Sequence, residues 1–274
     1  MNYFIDHCTN DSAADFIVLA SGLGGHASFW KPQIKFLQQY FHVLSYDQEG
    51  CHASDSLLDE QYSFQHLAQQ VFNILDQEQI TKFHFIGHAI GAFIGTELAL
   101  LCEQELQSQP QFKQMLSLTS INAWNELDPH TAKCFEARIH LLKSAGAEAY
   151  VRAQALFLYP PAWISQSIDE ITQAENQQLL AFPPIHNVLT RIKTAVDFKI
   201  NHLHREALEY VALHFIGNED DFLVPIQKTR DLQQSLGHGT MNILAHGAHA
   251  STVTQSDLIN RTLFEFYKSH NFIE

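Results

Sequence analysis

Three short segments carry the residue types that could do chemistry. In Phe85-Ile86-Gly87-His88-Ala89-Ile90-Gly91, an apolar strand runs into a G-x-A-x-G turn and then into a helical pattern. That layout is a nucleophile elbow, in which glycines allow a sharp turn and a close helix while the central residue stands at the tip. A serine is the usual tip residue, and here the position is Ala89. A covalent acyl-enzyme route is therefore closed. The second segment, Gly217-Asn218-Glu219-Asp220-Asp221-Phe222-Leu223-Val224-Pro225, follows a strand and offers a carboxylate. Counting back from Pro225 favours Asp221 and counting forward from Gly217 favours Asp220; Asp221 is preferred. The third, His246-Gly247-Ala248-His249, follows the last strand, and His249 fits best as a base. A histidine oriented by a carboxylate, beside an elbow without a nucleophile, suits activation of water.

These segments need a scaffold that brings strand ends together, and the rest of the chain has the pattern of one. Phe16–Ala20, His42–Tyr46, Phe83–Ile86, Leu116–Ile121, Val211–Ile216 and Met241–Leu244 are short apolar runs. Helical spacing separates them, as in Phe64, Leu67, Ala68, Val71, Ile74 and Leu75, with Ser63 as N-cap. The alternation predicts an α/β fold: a mostly parallel, doubly wound sheet. From Asn122 to about Arg205 only helical spacing appears, broken at Pro160-Pro161 and Pro183-Pro184. The expected organisation is a core formed by residues 1–121 and 206–274, with residues 122–205 as a helical cap. Such a cap would cover the C-terminal sheet edge, where ligands bind in open α/β folds.

Composition removes several functions. The 274 residues include 30 acidic and 16 basic ones, a net charge of −14, and the basic residues are scattered. Nucleic-acid binding is not expected. No apolar run is long enough to span a bilayer, and the N-terminus has no signal-peptide pattern. Four isolated cysteines suggest reduced thiols and a cytoplasmic protein. Neither G-x-G-x-x-G nor a P-loop lysine is present, so a phosphate-cradling loop is not expected. His202-Leu203-His204 and the histidines at 246 and 249 have no carboxylate at ligand spacing, so no metal is expected there either.

Taken together, the motifs resemble the α/β-hydrolase superfamily, in which the order is elbow, acid, histidine. A narrower set resembles the pyrimidine-utilisation D (RutD) family. It comprises Ser21-Gly22-Leu23-Gly24-Gly25, Tyr46-Asp47-Gln48, Gly87–Gly91, Asn122 with Trp124, His130-Thr131, Cys134-Phe135, Leu156–Pro160 and Asp221–Pro225. The chain departs from that family at Glu49-Gly50-Cys51, where Arg-Gly-Thr is more common. The resemblance implies a cofactor-free hydrolase of a small labile substrate in uracil breakdown, acting on carbamate or on 3-aminoacrylate. A catalytically silent binding protein on the same fold is the alternative. It also implies an oxyanion hole made by the backbone N–H groups of Leu23 and Ile90, which an alanine at 89 leaves in place.

Ser21, Trp124, Arg138 and Arg191 are the expected substrate contacts, with cap-surface salt bridges as the competing role for the two arginines. His88 reads as a packed residue more than a proton donor. Cys51 is a remote replacement nucleophile, since nothing in sequence beside it would lower a thiol pKa.

Overall fold

A computed structural model of the chain describes residues 2–106 and 113–274. Seven strands form one sheet: β1 (Tyr3–Asp6), β2 (Phe16–Ala20), β3 (His42–Tyr46), β4 (Lys82–His88), β5 (Gln114–Ile121), β6 (Ala212–Asn218) and β7 (Thr240–Leu244). Their order is β1-β3-β2-β4-β5-β6-β7, with β1 antiparallel to β3 and every other pairing parallel. This is the expected α/β sheet. The strand Tyr3–Asp6 is an addition: three half-buried residues and an exposed Phe4 at a sheet edge leave little apolar signal.

Side-chain alternation divides the core between the two faces of the sheet. Val18, Ala20, Leu44 and Tyr46 point to one face, packed by α2 (Phe64–Gln77) and α3 (Ile90–Leu106). Ile17, Leu19, Val43, Ile86 and Ile216 point to the other, packed by α1 (Lys31–Leu37) and the last helix (Ser256–Ser269). The apolar stripe of α2 is buried along its full length, and the Ser63 side chain caps it by accepting from the His66 N–H at 3.1 Å.

Between β5 and β6 the described chain is helical: α4 (Pro129–Leu158), α5 (Pro161–Gln166), α6 (Ile168–Leu180), α7 (Ile185–Asp197) and α8 (His202–Ala207). The proline pairs fall at the breaks. Pro160 precedes α5 and Pro184 precedes α7, where a missing N–H costs least. α4 turns at Gly146, whose φ of 84° only glycine adopts easily. After β6 come α9 (Ile226–Leu236), then, beyond β7, α10 (Ser251–Thr254) and α11 (Ser256–Ser269).

Candidate active site

The elbow is built by contacts that exclude side chains at its glycines. A Cβ on Gly87 would lie 2.3 Å from the Ala92 nitrogen, and one on Gly91 would lie 2.1 Å from the Ala20 carbonyl oxygen. Helix α3 can start directly behind β4 only because both are bare. Between them Ala89 is held at φ 48°, its N–H donating to the Ile121 carbonyl at 2.8 Å. An alanine there carries left-handed strain of about 1 kcal/mol. The strained turn is thus kept although no nucleophile stands on it. Ala89→Gly is expected to raise stability by up to about 1 kcal/mol, seen as a Tm increase of ~2 °C; a lower Tm would refute the strain.

The acidic loop separates the two aspartates by role. Asp221 is buried, and its Oδ1 accepts from the N–H groups of Leu223 (2.8 Å) and Val224 (2.9 Å). Its Oδ2 is 2.8 Å from His249 Nδ1. Asp220 points elsewhere and accepts from the N–H groups of Gly247 (3.0 Å) and Ala248 (2.8 Å). One carboxylate meets the imidazole while the other holds the loop that carries it. The start of α4 grips the same acidic loop: His130 Nε2 lies 2.5 Å from the Phe222 carbonyl, and Thr131 Oγ1 donates to that of Leu223 at 2.9 Å. This gives a physical role to the His130-Thr131 pair that the sequence left without one.

The backbone of His249 is pinned as well. Asn122, at φ 51°, donates through Nδ2 to the His249 carbonyl at 2.7 Å, and His88 Nε2 lies 2.8 Å from the same oxygen. A carbonyl only accepts, so His88 carries its proton on Nε2 and Nδ1 is a bare acceptor, buried without a partner. Burial, with His249 adding to it, pushes the His88 pKa down to about 3, so this ring is a neutral positioning group. The Nε2 of His249 makes no hydrogen bond to a described residue, which leaves it available to a ligand.

Ile90 opens the 17-residue helix α3, and Leu23 lies in the loop after β2. Neither N–H is used in a turn or loop hydrogen bond, and the helix start adds positive potential at Ile90. Ser21 ends β2 with a buried hydroxyl that has no partner. Trp124 is buried edge-on against Phe93, its Nε1–H likewise unpartnered. A small cleft of ≈ 50 Å³, partly open to solvent, runs between Leu23, Gly24, His26 and Cys51 on one side and Tyr150, Gln154, Phe182 and Arg191 on the other. It reaches the loop of Leu23, but its walls include neither Ala89 nor His249.

The two arginines depart from the surface role given as their alternative, and Arg138 keeps a buried Nε without a partner. Both are buried, and among the described residues neither forms an ion pair, so surface salt bridging is excluded. Arg191 Nη1 donates to the Glu49 carbonyl (2.7 Å) and the Tyr62 hydroxyl (2.9 Å); Nη2 donates to the Leu23 carbonyl (3.0 Å) and Gln48 Oε1 (2.8 Å). Its four terminal N–H groups tie α7 to the loops after β2 and β3, with none left for substrate. Arg138 donates to Tyr150 and Gln154 and lies among the rings of Phe135, Tyr150 and Phe157, one layer behind the cleft wall. Arg191→Leu would leave two carbonyls and an amide oxygen without donors, at about 1–3 kcal/mol each where buried. A loss of stability of about 3 kcal/mol or more in urea unfolding is expected. Unchanged stability with a raised KM would instead mark a substrate contact.

Cys51 is no replacement nucleophile, because burial pushes its thiol up to about 12. It lies, however, with His26 and His52 in a group whose possible ligand atoms are all within 4.8 Å of one another. Sequence spacing gave no sign of this, since residue 26 is far from 51 and 52 along the chain.

Comparison with known proteins agrees with this architecture. Residues 15–148 match the alpha/beta hydrolase fold family. The chain is 47% identical over 260 residues to the "Putative carbamate hydrolase RutD" of Acinetobacter baylyi, covering 95% of this chain and 96% of that protein. It is 38% identical over 264 residues to the protein of the same name from Pseudomonas syringae pv. syringae, covering 95% and 96%. Among solved structures, the enol-lactonase from Burkholderia xenovorans superposes with a TM-score of 0.80 at 18% identity, over 97% of this chain and 96% of the other, a likeness of fold. The chain is an α/β-hydrolase and belongs to the RutD family.

Proposed function

We propose that this protein assists hydrolysis of carbamate in pyrimidine (uracil) breakdown, by activating water without a serine nucleophile. The observation that carries the proposal is the buried Asp221–His249 pair, 2.8 Å apart, beside an elbow whose tip is alanine. His249 Nε2 takes a proton from water as the oxygen adds to the carbamate carbon. Ammonia leaves with a proton returned from His249, and bicarbonate remains. The N–H groups of Leu23 and Ile90 hold the oxygen charge that develops, each donor of this kind being worth about 10²–10³ in rate. Ser21 and Trp124, with their unpartnered buried polar atoms, are the proposed substrate contacts. Names carried by close relatives support carbamate as substrate.

Loss of the covalent route would cripple attack on a stable ester or amide. Carbamate already breaks down unaided, so modest general-base assistance suffices. The same reasoning suits 3-aminoacrylate, and one experiment separates the two. Ammonia release from freshly generated carbamate and from freshly generated 3-aminoacrylate is followed with and without protein. Acceleration is expected, with carbamate the faster. Greater acceleration of aminoacrylate would reassign the substrate, and none on either by folded protein would leave a binding function on the same fold.

A further inference from the structure

We propose that His26, Cys51 and His52, with the Asp47 carboxylate beside them, form a binding site for a zinc-class divalent metal ion in the wall of the cleft. Two imidazoles, one thiolate and one carboxylate make a borderline-soft donor set that suits zinc and disfavours ions needing oxygen alone. The spacing fits. His26 Nδ1 is 3.7 Å from Cys51 Sγ. Nitrogen at about 2.1 Å and sulfur at about 2.3 Å from a tetrahedral ion stand about 3.6 Å apart. Asp47 reaches both histidines, with Oδ1 3.9 Å from His26 Nδ1 and Oδ2 3.0 Å from His52 Nε2. A carboxylate so placed either completes the ligand set or orients an imidazole within it.

The backbone holds these groups in place independently of any ion. Asp47 Oδ1 accepts from the Ala27 N–H at 2.9 Å, and the His52 N–H donates to Asp55 Oδ2 at 3.0 Å. The Gln48 N–H donates to the Gly25 carbonyl at 2.8 Å, tying the two loops together. Gly25 lets them approach: a Cβ there would stand 2.7 Å from the Cys51 Cβ. On binding, the ion displaces the Cys51 proton to solvent, and the thiolate so formed and the carboxylate together balance a dication. Among the described residues, the nearby opposing charge is Arg191, whose Nη groups are already engaged by carbonyls, a hydroxyl and Gln48. His26 and Cys51 both face the cleft, next to Leu23 and Gly24, so an ion would have an entry path.

The test is metal binding itself, read without any activity measurement. Chelator-treated full-length protein is titrated with Co²⁺ and then with Zn²⁺. One equivalent is expected to bind, with a thiolate-to-cobalt charge-transfer absorption that zinc abolishes. Cys51→Ser should lose that absorption. Asp47→Asn should weaken zinc binding about 10–100-fold. Because Cys51 is buried, His52→Ala, at a ring about one-third exposed (32% of its side chain), provides a second ligand variant. It too should lose the stoichiometric site, and thermal unfolding of the metal-free variants checks their folding. Cys134→Ser, at the separate Cys134–His130 pair (3.6 Å), should leave the absorption unchanged. Absence of a thiolate band, its survival in Cys51→Ser, or equal loose binding by wild type and His52→Ala would overturn the site.

Discussion

His249→Ala is expected to remove most of the catalysed ammonia release, since a positioned general base contributes ~10²–10⁴ in rate. Ligand affinity should change little, because the Leu23 and Ile90 N–H groups proposed to hold the substrate oxygen remain. Asp221→Asn should cost nearly as much, for a reason visible in the hydrogen bonds. Asp221 Oδ1 accepts from two backbone N–H groups, so an asparagine must place its carbonyl oxygen there. Its NH₂ then faces His249 Nδ1 and forces the proton onto Nε2, the nitrogen that has to accept from water. The base is present but in the wrong tautomer. Asp220→Asn spares this pair and disturbs only the Gly247 and Ala248 N–H contacts, so its effect should be much smaller. Rates for the three variants, with folding checked by circular dichroism, decide the matter. A His249→Ala protein that retains full acceleration would remove this histidine from the mechanism.

Acid should destabilise the protein steeply between pH 6.5 and 5, before most carboxylates titrate. Three buried histidines are held neutral in the folded chain. His84, among the rings of Phe41, Tyr267 and Phe272, is pushed by burial down to about 3. His88 falls to about 3 by burial and by His249. His214, stacked at 4.4 Å on Phe266, falls to about 4, burial outweighing its Asn242 hydrogen bond. In the unfolded chain each protonates near pH 6.5, so below that value the unfolded state binds more protons than the native one. Their contribution is therefore intact above pH 6.5 and is lost as pH falls toward the folded values of about 4 and 3. Each histidine contributes a slope of about 1.4 kcal/mol per pH unit, together about 4 kcal/mol per unit. At pH 5 the loss is ~6 kcal/mol, comparable with the whole stability of many domains. Urea unfolding at pH 7, 6 and 5 measures it directly. His84→Gln should reduce the slope by about a third, and a stability independent of pH over this range would refute the mechanism.

Much of this molecule is legible from its residue pattern. Buried parallel strands must be short continuous apolar runs, and α2 must have an apolar stripe, because each has one apolar surface to remove from water. The G-x-A-x-G turn is legible for the same kind of reason: at Gly87 and Gly91 backbone atoms occupy the space where a side chain would be. Strand β1 escapes because an edge strand of three half-buried residues and an exposed Phe4 removes little apolar surface from water on folding.

Sequence by itself determined the fold class, the absence of a serine at the elbow, and the two segments that supply the Asp221–His249 pair. Those are local properties of residue type, period and steric room. Only the tertiary structure decided what depends on direction in space. It turned Asp221 toward His249 and its neighbour Asp220 toward two backbone N–H groups, a choice that adjacent residues in a turn do not reveal along the chain. It also buried Arg191 so that four protein groups engage its terminal N–H groups, and it brought His26 to Cys51 and His52 from a separate loop. Hydrogen bonds and metal-ligand distances operate over about 2–4 Å. At that range the partners are chosen by how the loops meet, and separation along the chain carries no information about it.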